Sequence, residues 1–220
     1  MKLTMLAMLG MVFLWAVSAR GQVSYTNIVN ASVPDGSPLG LVSVTSVSGV
    51  LGTISDIQVN LDITGGFNGD LYAYLLGPQG NFAVLLNRVG MGGANPFGNG
   101  DAGFNITLSD GANNVHSYAD YVIPTGQLTG TWAPDGRNIS PGSSPAAFDS
   151  ATINDFTVFN TTIPNGNWTL FIADLSGGGG QSTLVSWGLT IVTVPEPQSW
   201  LLSIGGGVGL LLALKRRRIR

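Results

Sequence analysis

The chain has 220 residues, room for one domain or two small ones. Only 10% of them are charged, against a usual share of about 25%, and Cys is absent, which excludes a disulfide framework and thiol chemistry. The formal net charge of -3 hides a segregation: between Gly21 and Ser199 all twelve acidic residues face two basic ones, Arg88 and Arg137, so this span carries a charge near -10 and excludes a nucleic-acid-binding surface.

The N-terminal stretch reads as a secretory signal peptide over residues 1–21. Lys2 supplies the basic start, Leu3 to Val17 the apolar run, and Val17-Ser18-Ala19 a small-residue cleavage site, with cleavage after Gly21 the rival. The body, residues 22–193, carries strand signals. Leu41 to Val47 is a strand of mixed alternation. Ile57, Val59, Leu61 and Ile63 alternate with polar residues over eight positions, the period of a half-buried strand. Leu71 to Leu76 and Asn81 to Leu86 flank Gly77-Pro78-Gln79-Gly80 as a hairpin. Phe104 to Leu108 is a further strand. Trp168 to Leu175 and Leu184 to Val192 are apolar strands, expected to pair across the glycine-rich connection Ser176 to Gln181. Gly90 to Asp101 and Ala133 to Phe148 read as long loops. The fold class that follows is all-β, a jelly-roll-type β-sandwich.

The tail, residues 194–220, has three parts in order. Pro195-Glu196-Pro197 comes first, then the apolar run Trp200 to Leu214, then the basic cluster Lys215, Arg216, Arg217, Arg218 and Arg220. Fifteen helical residues cover roughly 22 Å of a hydrocarbon core about 30 Å thick, so a transmembrane helix near 199–214 is short for a permanent anchor. The basic end predicts that the body faces away from the cytoplasm. This tail resembles the PEP-CTERM sorting signal of Gram-negative bacteria. The resemblance implies export across the inner membrane, transient anchoring, and processing by exosortase, a membrane transpeptidase, with extracellular polysaccharide as a companion. An ordinary stop-transfer helix is the alternative.

The body carries a second resemblance. Val33-Pro34-Asp35, Gly69-Asp70-Leu71, Leu76 to Gly80, Leu85-Leu86, Gly166 to Leu170, Asp174 and Ser186 to Leu189 stand in the order and spacing of the P domain (P/Homo B) of proprotein convertases and kexin-like subtilases. That family is a jelly-roll-type sandwich that accompanies a subtilisin-like serine protease domain. Thr64 to Asn68 departs from the His-Thr-Tyr stretch that often precedes the Gly-Asp-Leu of the family.

The matching residues read as structural: Trp168 and Trp187 as core, Asp70 as a turn carboxylate, Asp174 as a strand carboxylate that is either satisfied locally or a calcium ligand. Asn99, Asp101 and Asp110 lie in Asn-Asp-Gly loops that offer weaker calcium candidates, and no other cofactor is implied. Tyr72 and Tyr74 share one strand face, expected to pack into the sandwich, with sugar stacking the sharper alternative. The single body histidine, His116, reads as an ordinary exposed loop residue. No glycine-framed nucleophile serine, zinc set or paired Glu is present, so the sequence predicts no catalytic residues. The expected function is therefore a non-catalytic exported cell-surface or matrix protein that binds or builds. The alternative is an accessory P domain acting in trans on a subtilisin-like protease.

Overall fold

The computed structural model describes residues 20–119 and 126–194. The signal segment before Arg20 and the tail from Pro195 to Arg220 lie outside the described residues. Among the described residues no helix is long and apolar enough to cross a membrane.

The chain is all-β. Among the described residues nine strands form two sheets: β1 (Gly21–Ser32), β2 (Ser37–Val47), β3 (Thr53–Thr64), β4 (Leu71–Leu76), β5 (Phe82–Asn87), β6 (Gly103–Ser109), β7 (Leu128–Trp132), β8 (Gly166–Asp174) and β9 (Thr183–Val194). The five-stranded sheet has the order β1-β9-β3-β6-β7 and the four-stranded sheet the order β2-β8-β4-β5. Neighbours run antiparallel, except β6 and β7, which are parallel. The only α-helix among the described residues is α1 (Pro145–Asp149).

Period-two alternation decides which side chains enter the core. In β3, Ile57, Val59, Leu61 and Ile63 are buried; in β4, Leu71, Ala73 and Leu75; in β8, Trp168, Leu170 and Ile172. A bulge interrupts β9. Asp62 pairs with Ser186 and Ile63 with Leu184, leaving Val185 unmatched. The extra residue lets both Leu184 and Trp187 point inward, which a regular strand forbids for residues three apart. The two indoles fill the space between the sheets, and each buried N–H finds an acceptor. Trp168 Nε1 donates to the Pro164 carbonyl at 2.8 Å, and Trp187 Nε1 crosses to Ser43 Oγ of the opposite sheet at 2.9 Å.

Three expectations are corrected. β8 and β9 do not pair; they lie in different sheets, each between two strands of its own. Both strands are apolar on their inner faces because each is central, and that pattern resembles the two arms of a hairpin. Tyr72 and Tyr74 do not enter the sandwich. Leu71, Ala73 and Leu75 occupy the inward register, so the tyrosines stand on the outer face. The stretch from Ala133 to Phe148 is not loop alone: Ala133 bridges Asn114, Arg137 bridges Ile153, and α1 begins at Pro145.

Replacing Trp187 by Phe keeps most of the ring volume and removes the donor to Ser43. The expected loss is about 1–2 kcal/mol, against about 3–5 kcal/mol for Trp187→Ala, read from urea unfolding midpoints.

Candidate functional site

Three groupings outside the apolar core bear on function. The first closes one end of the sandwich. Asp70 ends a short 3-10 turn, Asn68–Asp70, which leads directly into β4. Arg88, just past β5, reaches back to this turn. Its Nε donates to the Gly69 carbonyl at 3.1 Å and its Nη2 to Ser176 Oγ at 3.0 Å, while Nη2 lies 3.6 Å from Asp70 Oδ1. The Leu175 amide donates to the Asp70 carbonyl at 2.9 Å. Asp174, the last residue of β8, receives Ser182 Oγ on Oδ2 at 3.2 Å; the Ser182 carbonyl in turn accepts from the Val33 amide at 2.9 Å. Asp35 Oδ2 accepts from the Gly178 amide at 3.3 Å. Four chain segments thus meet, at residues 33–35, 69–70, 88 and 174–182.

Asp70 and Asp174 are buried, and burial is the main cause that pushes both carboxyls above their ordinary range. For Asp70 the Ser176 hydroxyl and the Arg88 guanidinium pull the other way without winning. For Asp174 the charges of Asp70 and Asp35 add to the upward push, and the Ser182 hydroxyl opposes it.

The second grouping overturns the reading of His116 as exposed. Its side chain is 8% exposed, and Asp135 beside it is fully buried. His116 Nδ1 lies 2.7 Å from Asp135 Oδ2, and Nε2 lies 2.8 Å from the Met91 carbonyl. A carbonyl only accepts, so Nε2 carries a hydrogen and has no lone pair to offer a nucleophile. Asp135 also accepts from the Asn87 amide at 3.1 Å and from Arg137 Nη1 at 3.2 Å, while Arg137 Nε donates to the Phe148 carbonyl at 3.0 Å. Phe148 stacks on the imidazole with ring centroids 6.1 Å apart. The pair is a fastening between loops: it ties the segment after β5 to the segments around Asp135 and α1.

The third grouping is the outer face of the four-stranded sheet. Tyr74 stacks on Phe171 at 5.0 Å between centroids, Tyr72 lies 6.0 Å from Tyr74, and Phe82 meets Tyr74 edge-on at 6.2 Å. Val42 and Val44 of β2 extend this surface, at 58% and 48% exposure.

The remaining sequence candidates fall in separate places. Asn99 is buried and donates to the Tyr118 carbonyl at 3.1 Å, and Asp101 is buried on the same loop. Asp110 instead accepts from the Phe156 amide at 3.1 Å. Burial raises the Asp110 carboxyl, and the Phe156 bond lowers it. Among the described residues no group of three or more His, Cys, Asp or Glu side chains is placed to hold a metal ion. The sequence reading passed over Arg88 and Asp135 as site residues. The signal for Arg88 was its rarity, one of two cations in an acidic body; Asp135, in a proline-bounded stretch, gave none.

No family model and no curated protein sequence matches the chain. Among solved structures it is similar to the serine protease of Aeromonas sobria in complex with its chaperone, with a TM-score of 0.49 and 15% identity over 83% of this chain and 28% of that one. It is also similar to the Aeromonas sobria serine protease alone, with a TM-score of 0.47 and 15% identity over 82% of this chain and 28% of that one. The chain therefore spans less than a third of the length of either structure it matches.

Two outcomes follow from this geometry. His116→Ala leaves the Asp135 carboxylate buried with one partner fewer, and the unfolding free energy falls by about 2–4 kcal/mol in a denaturant titration. For Asp70 and Asp174 the folded-state affinity for a proton exceeds the unfolded one. Stability therefore falls as pH rises from the ordinary carboxyl range through the raised folded values, and Asp174→Asn reduces that fall when urea midpoints at pH 4 and pH 7 are compared.

Proposed function

We propose that this chain is a protease-associated binding module, a P-domain-like sandwich of jelly-roll type that works by contact with a subtilisin-like serine protease and is not itself the catalyst. One observation carries the reading. Residues that bear the sequence resemblance, Val33, Asp35, Gly69, Asp70 and Asp174, come from distant parts of the chain and close the same end of the sandwich. Residues that meet in one network are stronger support for a shared architecture than the same residues scattered over the surface. The His116–Asp135 pair is no rival to this reading, since Met91 occupies the second ring nitrogen.

The module is exported, on the sequence reading of its N-terminal segment, and its tail is a PEP-CTERM-like signal removed by an exosortase in a Gram-negative cell envelope. A second reading draws on the aromatic outer face. Tyr72, Tyr74 and Phe171 form a shelf of rings of the kind that stacks on neutral sugars, which suits a matrix protein that holds polysaccharide.

Co-expression with the exported subtilisin-like proteases of the same cell tests the main reading. The expected result is co-purification with one of them and a higher melting midpoint for that protease. Failure to bind any, together with retention on matrix polysaccharide that Tyr74→Ala abolishes, transfers the assignment to the second reading. Intact mass of the native protein tests the tail: the expected mature chain starts near Arg20 or Gln22 and lacks the residues after about Pro197, whereas a full-length chain held in the inner membrane removes the sorting signal from the proposal.

A further inference from the structure

We propose that Asn165 is a self-modification site, at which the chain converts a side-chain amide to a carboxylate without an enzyme, and that the change frees the loop between β2 and β3. The described residues hold three Asn-Gly pairs: Asn68-Gly69, Asn99-Gly100 and Asn165-Gly166. A glycine after asparagine leaves its main-chain nitrogen unshielded, since no Cβ stands beside it. That nitrogen attacks the side-chain Cγ and closes a five-membered imide. The fold decides which pair is open to this. Asn68 is fully buried. Its Nδ2 donates to the Gly103 carbonyl and to Tyr118 Oη, its Oδ1 accepts from the Gly103 amide, and the Gly69 nitrogen is held on the Asn99 carbonyl at 2.7 Å. Asn99 is 3% exposed, and its Nδ2 donates to the Tyr118 carbonyl. Water, which has to open the imide, meets neither. Asn165 is exposed. Gly166 is the first residue of β8, opposite Val47, the last of β2, so the attacking nitrogen sits at the end of a ladder, where pairing opens most readily. The glycine is also fixed by the fold: its φ is +131°, and a Cβ there would lie 2.6 Å from Pro78 Cβ.

The reaction balances with water alone. The Gly166 nitrogen loses its proton to solvent and bonds to Cγ of Asn165; the Cγ–Nδ2 bond breaks, and ammonia leaves with a proton taken from solvent. One water then adds at either imide carbonyl. The ring opens as aspartate or as isoaspartate, which carries one extra carbon in the main chain. One tie changes with it. The intact amide behaves as a peptide group toward Val50: Oδ1 accepts from the Val50 amide at 3.0 Å, and Nδ2 donates to the Val50 carbonyl at 2.7 Å. A carboxylate keeps the first bond and has no hydrogen for the second, so two oxygens face each other and repel. Residues 48–52, between β2 and β3, lose this fastening. The loosening stays local, because Ile54 at the start of β3 exchanges main-chain bonds with Thr161 and Thr162.

The inference stands independently of the protease reading and is tested on the full chain by peptide mass mapping. Held folded for days in warm, mildly alkaline buffer, the chain is expected to gain about 1 Da in the peptide that carries residue 165, as a mixture of aspartyl and isoaspartyl forms. The peptides that carry Asn68 and Asn99 stay unchanged. In urea all three pairs are open, and all three are expected to gain the mass. Asn165→Asp reproduces the charge of one product. Its melting midpoint is expected to fall by about 2–4 °C, and a nonspecific protease is expected to cut it faster within residues 48–52. A residue 165 that stays amidated in the folded chain overturns the inference. So does a mass gain at Asn68 or Asn99 as fast as at Asn165 in the folded chain, or its absence at both in urea. A midpoint and cleavage pattern of Asn165→Asp equal to those of the unaltered chain overturns the release of the loop.

Discussion

The placement of β8 and β9 constrains nearly everything else in this molecule. They are consecutive in sequence, yet each is a central strand of a different sheet. The connection from Leu175 to Ser182 therefore cannot be a hairpin turn; it has to pass from one sheet to the other across an end of the sandwich. Its glycines allow that path, and the path determines what meets there. Asp174 leaves one sheet as Ser182 enters the other, and their side chains bond. The turn after β1 joins through the Val33 amide and Asp35, and the 3-10 turn before β4 joins through Asp70. An apolar core of this thickness is open at its ends, and here polar residues from four segments plug the opening.

The use of cations follows from the same economy. The described body from Gly21 to Val194 has two basic residues, and both work inside the fold. Arg88 fastens the segment after β5 to the β4 entrance and to the β8–β9 connection. Arg137 fastens the Asp135 turn to α1. Each spends its donors on main-chain carbonyls as well as on a carboxylate, so each organises irregular backbone that no sheet ladder holds. The outward charge of the body is then left to aspartates. A partner surface on this protein has to be read from aromatic, apolar and acidic groups.

Strands were legible where one face is buried and the other wet. β3, β4 and β6 show that alternation in the sequence, and β8 and β9 show the apolar density of central strands. β1 and β7 were missed because they are edge strands rich in Ser, Thr, Asn and Gly; β1 alternates only between exposed and half-buried residues, a weaker contrast than the wet and buried faces of β3. The sheet assignment of β8 and β9 was illegible for a different reason. Alternation reports burial and says nothing about which neighbour provides it. His116 shows the limit at the site. Its local sequence, polar and loop-like, describes its own turn correctly, but the burial comes from Met91, Asp135 and Phe148, up to 32 residues distant in the chain. Asp174 is the converse case: a carboxylate in an apolar strand is a local contradiction, and that contradiction pointed to the place where the structure concentrates charge.

Several residues singled out in the sequence are architectural ones. Asp70 and Asp174 close the sandwich and Trp187 fills it. Residues of this kind specify a way of folding and leave the chemistry free. Their contacts narrow where free surface lies. Closure at the acidic end consumes the hydroxyls and amides of four segments, and the loops around His116 are fastened internally. The outer face of β2, β8, β4 and β5 is different. It keeps Tyr72, Tyr74, Phe171, Val42 and Val44 outside the core, although a sheet face turned only to water needs none of them. Rigid rings held against one another lose little freedom when a second surface covers them. In a body whose charges are mostly like in sign and whose cations are internal, that face is where association gains the most from burying apolar area.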